Sequence, residues 1–170
     1  MNTFKKIVLC VVFVFSLSLI LASCNAHNQM PENKPSDFNF VLNYGVDAKN
    51  QLDTQKEMFT KDMVMDPSVT TTLKLTDEEM DEIYTLMKNI NILSYPDNFN
   101  TFSNSSQTPY STYSFKIIVN GKEKNINWKD ESGSNNKEAV DLRNLIKRIQ
   151  EIIYSKDEYK KLPKPKGGYM

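Results

Sequence analysis

The chain has 170 residues and as many basic as acidic ones, 21 of each. That length suits one domain with a sizeable core, and its 39% hydrophobic and 25% charged residues exclude wholesale disorder. The charge balance excludes a general electrostatic attraction to nucleic acid, so we expect no nucleic-acid partner.

The first residues have the layout of a secretory signal. Lys5 and Lys6 precede an apolar run from Ile7 to Ala22 that contains no acidic residue. At roughly 16 residues, this run is short for a membrane span, which takes about 20. Loss of this leader would leave 19 basic and 21 acidic residues, a net charge of −2.

The string Leu21-Ala22-Ser23-Cys24 resembles the lipobox of bacterial lipoproteins. The resemblance implies cleavage between Ser23 and Cys24, a diacylglyceryl group on the Cys24 thiol and often an acyl group on the new amino terminus. Two acyl chains give stable anchoring, since each buried CH₂ contributes about 0.8 kcal/mol. The mature protein would then sit on the extracytoplasmic face of the cell membrane, with membrane lipid as its first partner. The alternatives are an ordinary signal peptide and an uncleaved helix with an incidental cysteine.

Cysteine and histidine are nearly absent, which limits the chemistry of the mature domain. Cys10 belongs to the leader, Cys24 is the proposed lipid site, and His27 follows three residues later. A Cys–His pair, a Ser–His–Asp triad and a Cys/His zinc site are therefore excluded from the domain. The sequence also contains no Gly-rich phosphate loop and no G-x-S-x-G motif. We predict a non-enzyme with no metal and no cofactor besides the covalent lipid.

The composition divides the mature chain into three parts. Residues 24–36 comprise the lipid site and a polar stretch, Asn25–Ser36, whose two prolines predict a flexible linker. A single domain is predicted over 37–163, followed by a basic tail at 164–170. From Lys156 onward there are five lysines against two acidic residues. This end of the chain either lies on the membrane or is solvated.

Three strands are predicted before the first helix. Phe38–Tyr44 alternates apolar and polar residues, and Val46–Lys56 is expected to be a polar loop. A second strand is expected over Met58–Met65, ended by Asp66-Pro67. The β-branched stretch Val69–Leu75 predicts the third strand. The second strand is expected to direct one set of side chains toward the core: Phe59, Met63 and Met65.

The first helix begins at a capping box, with Thr76 as N-cap and Glu79 three residues later. Apolar residues at helical spacing extend it to Ile90. Five acidic residues lie between Asp77 and Glu82, and they suit the positive end of the helix dipole better than a calcium loop. The stretch 97–109, which contains Phe99 and Phe102, is expected to be a mobile loop.

Tyr110–Lys129 predicts a β-hairpin around Asn120-Gly121, the pair that a type I′ turn favours. Pairing across this turn places Phe115 opposite Ile126 and Tyr113 opposite Trp128, which also satisfies the apolar pattern. Trp128 is expected to be a core residue, with a ligand-stacking role as the alternative.

A polar turn, Asp130–Asn136, precedes the second helix; a cation-binding loop is the alternative for this turn. The helix is indicated by seven apolar residues at helical spacing: Ala139, Leu142, Leu145, Ile146, Ile149, Ile152 and Ile153. The predicted order is β-β-β-α-β-β-α. We expect an α+β fold with a mostly antiparallel sheet of about five strands and two amphipathic helices on one face.

The mature domain resembles uncharacterised lipoproteins of Bacillus and its relatives. This resemblance implies a Gram-positive surface protein and supplies neither an activity nor site residues. It is carried by six short strings: Tyr44-Gly45-Val46, Asp53-Thr54, Thr60-Lys61-Asp62-Met63-Val64, Asp66-Pro67, Tyr95-Pro96-Asp97 and Glu158-Tyr159-Lys160-Lys161-Leu162-Pro163.

Three functions remain open from the sequence. The first is a non-enzymatic interaction module for another envelope protein, with Phe99 and Phe102 in an exposed patch. The second is a binder of a small ligand or cell-wall fragment, with a pocket lined by Trp128 and tyrosines such as Tyr113. The third is a hydrolase with two carboxylates about 5–10 Å apart.

Overall fold

The computed structural model describes residues 29–101 and 108–169, which form a sheet with helices on one face. This arrangement confirms the α+β class and the mostly antiparallel sheet, but the sheet has seven strands instead of about five. The strands are β1 (Asn39–Tyr44), β2 (Asn50–Asp53), β3 (Met58–Met63), β4 (Asp66–Thr72), β5 (Asn98–Phe99), β6 (Thr112–Val119) and β7 (Lys122–Lys129). The described helices are α1 (Asp77–Asn89), α2 (Lys137–Ser155) and the short α3 (Asp157–Lys160).

The strand order in the sheet is β4-β3-β2-β1-β6-β7-β5. β1 is central and pairs antiparallel with both β2 and β6. β5 is the exception, since it pairs parallel to β7 through two residues. The hairpin of β6 and β7 has the predicted register, with Phe115 opposite Ile126 and Tyr113 opposite Trp128. Its turn residues Asn120 and Gly121 both have positive φ, as a type I′ turn requires.

The prediction of a loop over Val46–Lys56 is wrong in part, because β2 lies within this range. Only Leu52 and Asp53 of β2 are buried, so the strand shows no apolar alternation. Its backbone is instead paired on both sides, by β1 and by β3. Hydrogen bonding to two neighbours therefore forms a strand where the side-chain pattern predicts none.

The expected second strand, Met58–Met65, ends two residues early. Val64 has a φ of +63° and turns the chain, so Met65 is 78% exposed instead of facing the core. Asp66-Pro67 begins β4 instead of breaking the sheet. β4 is an edge strand, where a proline without an N–H is tolerated.

Both amphipathic helices form as predicted. The capping box of α1 is present: the Glu79 amide donates to Thr76 Oγ1 at 3.3 Å, and the Thr76 amide donates to Glu79 Oε2 at 2.8 Å. α1 and α2 run antiparallel: Glu79 in the first turn of α1 pairs with Lys156 just after α2, and Glu82, one turn later in α1, accepts from Arg148 Nε, earlier in α2, at 2.6 Å. The seven apolar residues predicted for the second helix are all buried.

A single core lies between the helices and one face of the sheet. Its largest members include Phe40 and Leu42 of β1, Phe59 of β3 and Phe115 of β6. The opposite sheet face is polar, with cross-strand hydrogen bonds between exposed or half-buried side chains, such as Gln51 to Asn43 at 2.8 Å. Antiparallel sheets commonly leave one face in water in this way.

The prediction of a flexible linker over Asn25–Ser36 is wrong for its described part, residues 29–36. Met30 is buried, and the Tyr84 hydroxyl of α1 donates to the Pro31 carbonyl at 2.6 Å. Lys34 forms an ion pair with Asp81 of α1. Residues 29–36 thus belong to the folded unit, which begins closer to Cys24 than the composition indicates.

Candidate functional site

The structure brings together aromatic residues from two separate predictions: Phe99 from the exposed patch, and Trp128 and Tyr113 from the ligand pocket. The Trp128 ring lies 5.2 Å from Tyr113 and 5.3 Å from Phe99, between ring centroids. Trp128 is 2% exposed and Phe99 is 7% exposed, so neither ring can contact a partner directly. The exposed patch expected at Phe99 is therefore wrong, and Trp128 is a core residue. Ser23, Cys24 and Phe102 lie outside the described residues.

An arginine covers the Trp128 ring and holds the turn before α2. The guanidinium carbon of Arg143 lies 5.2 Å from the ring centroid, close enough for a cation–π contact. Its Nε and Nη2 donate to the two carboxylate oxygens of Asp130 at 2.6 and 2.7 Å, and its Nη1 donates to the Ser134 carbonyl. Arginine thus occupies the oxygen atoms that a cation-binding loop at this turn would need. The hydrogen bonds to Asp130 raise the pKa of Arg143.

Glu79, Asp81 and Glu82 at the start of α1 are engaged with partners in the protein. Glu79 completes the helix cap, Asp81 pairs with Lys34, and Glu82 accepts two hydrogen bonds from Arg148. The bonds from Arg148 lower the pKa of Glu82. Across residues 29–101 and 108–169, no group of three or more His, Cys, Asp or Glu side chains is placed to hold a metal ion.

The two ends of the sheet differ, and we call them the turn end and the tail end. The turn end carries the β6–β7 turn, where the Asp37 carboxylate accepts hydrogen bonds from the amides of Asn120 and Gly121 at 3.0 and 2.5 Å. β1 starts at this end, since Asn39 pairs with Ile118, and it finishes at the tail end. The described chain therefore enters the domain at the turn end.

A cavity of about 480 Å³ opens at the turn end. Its apolar lining comes from Met30, Leu93, Ile117 and Val119, and Lys124 contributes to its polar lining. Lys124 also pairs with Asp97 at 2.6 Å. The volume suits a small ligand, but the lining residues include no Cys, His, Ser or Thr that could act as a nucleophile.

The tail end is covered by the last described residues, Pro163–Tyr169, which we call the C-terminal strap. The Tyr169 hydroxyl donates to Asp62 Oδ2 at 2.6 Å and accepts from Lys49 Nζ at 3.0 Å. Lys166 pairs with Asp66 at 3.0 Å, and its backbone forms a parallel bridge with Val64. The basic tail, expected to be on the membrane or solvated, thus docks on the protein at the end opposite to the chain entry.

A buried lysine lies beneath this strap. Lys61 of β3 is 8% exposed, donates from Nζ to the Pro163 carbonyl at 3.0 Å and lies 4.6 Å above the Tyr159 ring. Burial lowers the pKa of Lys61. Sequence reasoning missed this site, although a signal exists: Lys61 stands between Phe59 and Met63 at the inward phase of β3. A charged side chain at a position that alternates with buried apolar residues indicates that a polar group lies close by to bind it.

Comparison of the chain with models of known protein families, with characterised proteins and with solved structures finds no match. Within the described residues, none of the helices combines the length and the apolar character needed to cross a bilayer. The residues of this chain are thus the basis for any functional proposal.

Proposed function

We propose that the protein is a lipoprotein anchored through Cys24 on the extracytoplasmic face of the cell membrane, and that its domain is a non-enzymatic interaction module for another envelope protein. The observation that carries the proposal is the docking of residues 29–36 against α1. Because Gln29 follows Cys24 by five residues, the anchor and the folded unit are at most about 18 Å apart.

This short tether gives the anchored domain a preferred orientation. The chain enters at the turn end, so the turn end lies next to the bilayer. A strand of six to eight residues, such as β1 or β6, is about 20–26 Å long, and the tail end therefore points away from the membrane. Met58 at the turn end is 40% exposed. The tail end exposes more, with Met65 at 78% and with Tyr154 at 44%, whose ring packs on Tyr159 beside the buried Lys61. We expect partner contact there.

The residue types and their pairing support binding rather than catalysis. The domain has no Cys or His. Asp130, Glu82 and Asp62 are each held by hydrogen bonds from a neighbouring side chain, which opposes the free acid–base pair that a carboxylate hydrolase needs. Paired carboxylates of this kind serve the fold.

The anchor is tested by mass spectrometry of the protein purified from native membranes. We expect an amino-terminal peptide that begins at Cys24 and carries the mass of a diacylglyceryl group. The Cys24→Ala variant, which cannot accept the lipid, is the control and should keep its leader. An unmodified Cys24, or an intact leader on the wild-type protein, would refute the placement.

The interaction surface is tested by photo-cross-linking in intact membranes. A photoreactive amino acid at Met65 or at Tyr154 probes the tail end, and the exposed Gln55 in the β2–β3 turn is the matched control at the turn end. We expect the two tail-end positions to give the same cross-linked protein and Gln55 to give none. If all three positions label the same proteins, or label nothing, the tail end is not the interaction surface.

The cavity at the turn end supports a second candidate function, the binding of a small apolar ligand. A tryptophan in place of the half-buried Leu93 would fill part of the cavity without adding a charge. Native mass spectrometry should show a bound small molecule on the wild-type protein that Leu93→Trp loses. If both proteins have the mass of the chain alone, ligand binding at this cavity is excluded.

A further inference from the structure

The C-terminal strap contacts the domain as a ligand contacts a binding site. Its tyrosine hydroxyl lies between an acceptor, Asp62 at 2.6 Å, and a donor, Lys49 at 3.0 Å. The Lys49 ammonium also lies 5.0 Å from the centroid of the Tyr169 ring. The hydroxyl thus both donates and accepts a hydrogen bond, and both partners are side chains that precede Tyr169 by more than 100 residues.

Three further contacts involve other residues of the strap: Lys166, Pro163 and Gly167. Asp66 pairs with the Lys166 ammonium, and Lys61 donates to the Pro163 carbonyl. Gly167 has a φ of +78°, and a Cβ there would lie 2.8 Å from Met65 Sδ. The surface therefore fits a basic residue, a residue without a side chain and a phenol at fixed spacing.

The strap is held by few groups and contributes none to the core. Residues 163–168 are exposed, and the hydrophobic core includes no residue of the strap. The Lys166–Asp66 pair is solvent-exposed at both side chains, and such pairs contribute little. A segment with the same chemistry could replace the strap without disturbing the fold.

We propose that Lys49, Lys61, Asp62, Met65 and Asp66 form a peptide-recognition site for an extended Lys-Gly-x-Tyr segment of an envelope partner, and that the strap fills this site until the partner displaces it. The site lies at the tail end, so the proposal deepens the interaction function above and rests on it for the location of the partner. Because the strap competes with the partner segment, it would raise the partner concentration that is needed for binding.

The test uses the peptide Pro-Lys-Pro-Lys-Gly-Gly-Tyr-Met, residues 163–170, as the probe. Isothermal titration compares the full-length protein with a chain that ends at Leu162, which keeps all core residues. We expect saturable binding to the shortened chain and at least about tenfold weaker binding to the full-length protein, because the tethered strap competes. A peptide with Phe in place of Tyr should bind the shortened chain about tenfold more weakly, since it lacks the charge-assisted hydrogen bond.

Two substitutions in the full-length protein keep the test independent of the truncation. Tyr169→Phe removes the two hydrogen bonds of the strap's phenol and should strengthen peptide binding relative to the wild-type protein. Adding Asp62→Asn should weaken that binding again, and adding Asp47→Asn is the matched control, because Asp47 pairs with the same Lys49 at 3.6 Å. Thermal unfolding verifies that each variant is folded.

The proposal is overturned if neither the shortened chain nor Tyr169→Phe binds the peptide saturably, or if Asp62→Asn and Asp47→Asn have equal effects. These titrations need neither the anchor nor the natural partner. Peptide binding without cross-links from either Met65 or Tyr154 would therefore retain the recognition site and remove the interaction-module proposal. Cross-links from both positions without peptide binding would retain the interaction module and remove the recognition site.

Discussion

Two arginines on α2 each hold a carboxylate through two hydrogen bonds, but in different surroundings. Arg143 pairs with Asp130, whose side chain is 11% exposed, and it also covers Trp128. Arg148 pairs with Glu82, and both of those side chains are more than 40% exposed. The same type of contact should therefore differ in its contribution to stability, because solvent screens the second pair.

We predict that Arg143→Ala lowers the free energy of unfolding by about 3 kcal/mol, because it leaves Asp130 without its cation and uncovers the indole ring. Arg148→Ala is the matched control and should give a clearly smaller loss. Urea denaturation of both variants at neutral pH measures the difference. Equal losses would show that burial does not distinguish the two pairs.

Tyr95 makes the free energy of unfolding depend on pH in the alkaline range. Burial, with a smaller effect of Asp141, raises the pKa of this phenol from 10.0 to about 12. The unfolded chain releases the proton near pH 10 and the folded chain does so near pH 12, so the contribution of Tyr95 is complete below pH 10 and is lost as the pH rises toward 12.

We predict that the free energy of unfolding falls less steeply above about pH 10 in Tyr95→Phe than in the wild-type protein. At neutral pH the variant is less stable by a constant amount, because the hydroxyl donates to the Glu138 carbonyl at 2.9 Å. Denaturant titrations at several alkaline pH values measure the slope. Parallel curves for the two proteins would refute the role of Tyr95.

At the scale of the elements, α1 depends on Thr76, the residue that caps its amino terminus. The Thr76 side chain accepts from the amide of Glu79, which would otherwise lack a partner within the helix. We predict that Thr76→Ala costs about 1 kcal/mol of unfolding free energy. Thr85→Ala, at an exposed position within the same helix, is the control and should cost less. A larger loss for Thr85→Ala in thermal unfolding would contradict the capping argument.

Elements whose side chains repeat with a clear period could be predicted from the sequence. The hairpin register followed from Asn120-Gly121 together with the positions of Phe115 and Trp128, and α2 followed from its apolar stripe. β2 could not be predicted, because it has four residues and no apolar alternation. β5 could not be predicted, because it has two residues and pairs with β7, about 30 residues further along the chain. The docking of the strap could not be predicted from the sequence either, since Asp62 and Tyr169 are separated by 107 residues.

For the whole molecule, the strand order predicts where the fold opens first. β1 and β6 each have a strand on both sides, whereas β4 and β5 are the edges of the sheet. We predict the slowest amide hydrogen exchange in β1 and β6 and the fastest among the strands in β4 and β5. Exchange measured by NMR or mass spectrometry checks this order. Faster exchange in β1 than in β4 would contradict the arrangement.

The position of β1 has a mechanical consequence. Residues 29–38 lead directly into this central strand, and Asp37 fastens the same point to the hairpin turn. In the proposed arrangement, a force between the lipid anchor at Cys24 and a partner at the tail end would pull β1 along its own axis. The hydrogen bonds of β1 to β2 and β6 would then bear the load in shear, all at once, so a domain held in this proposed way would resist stretching along β1.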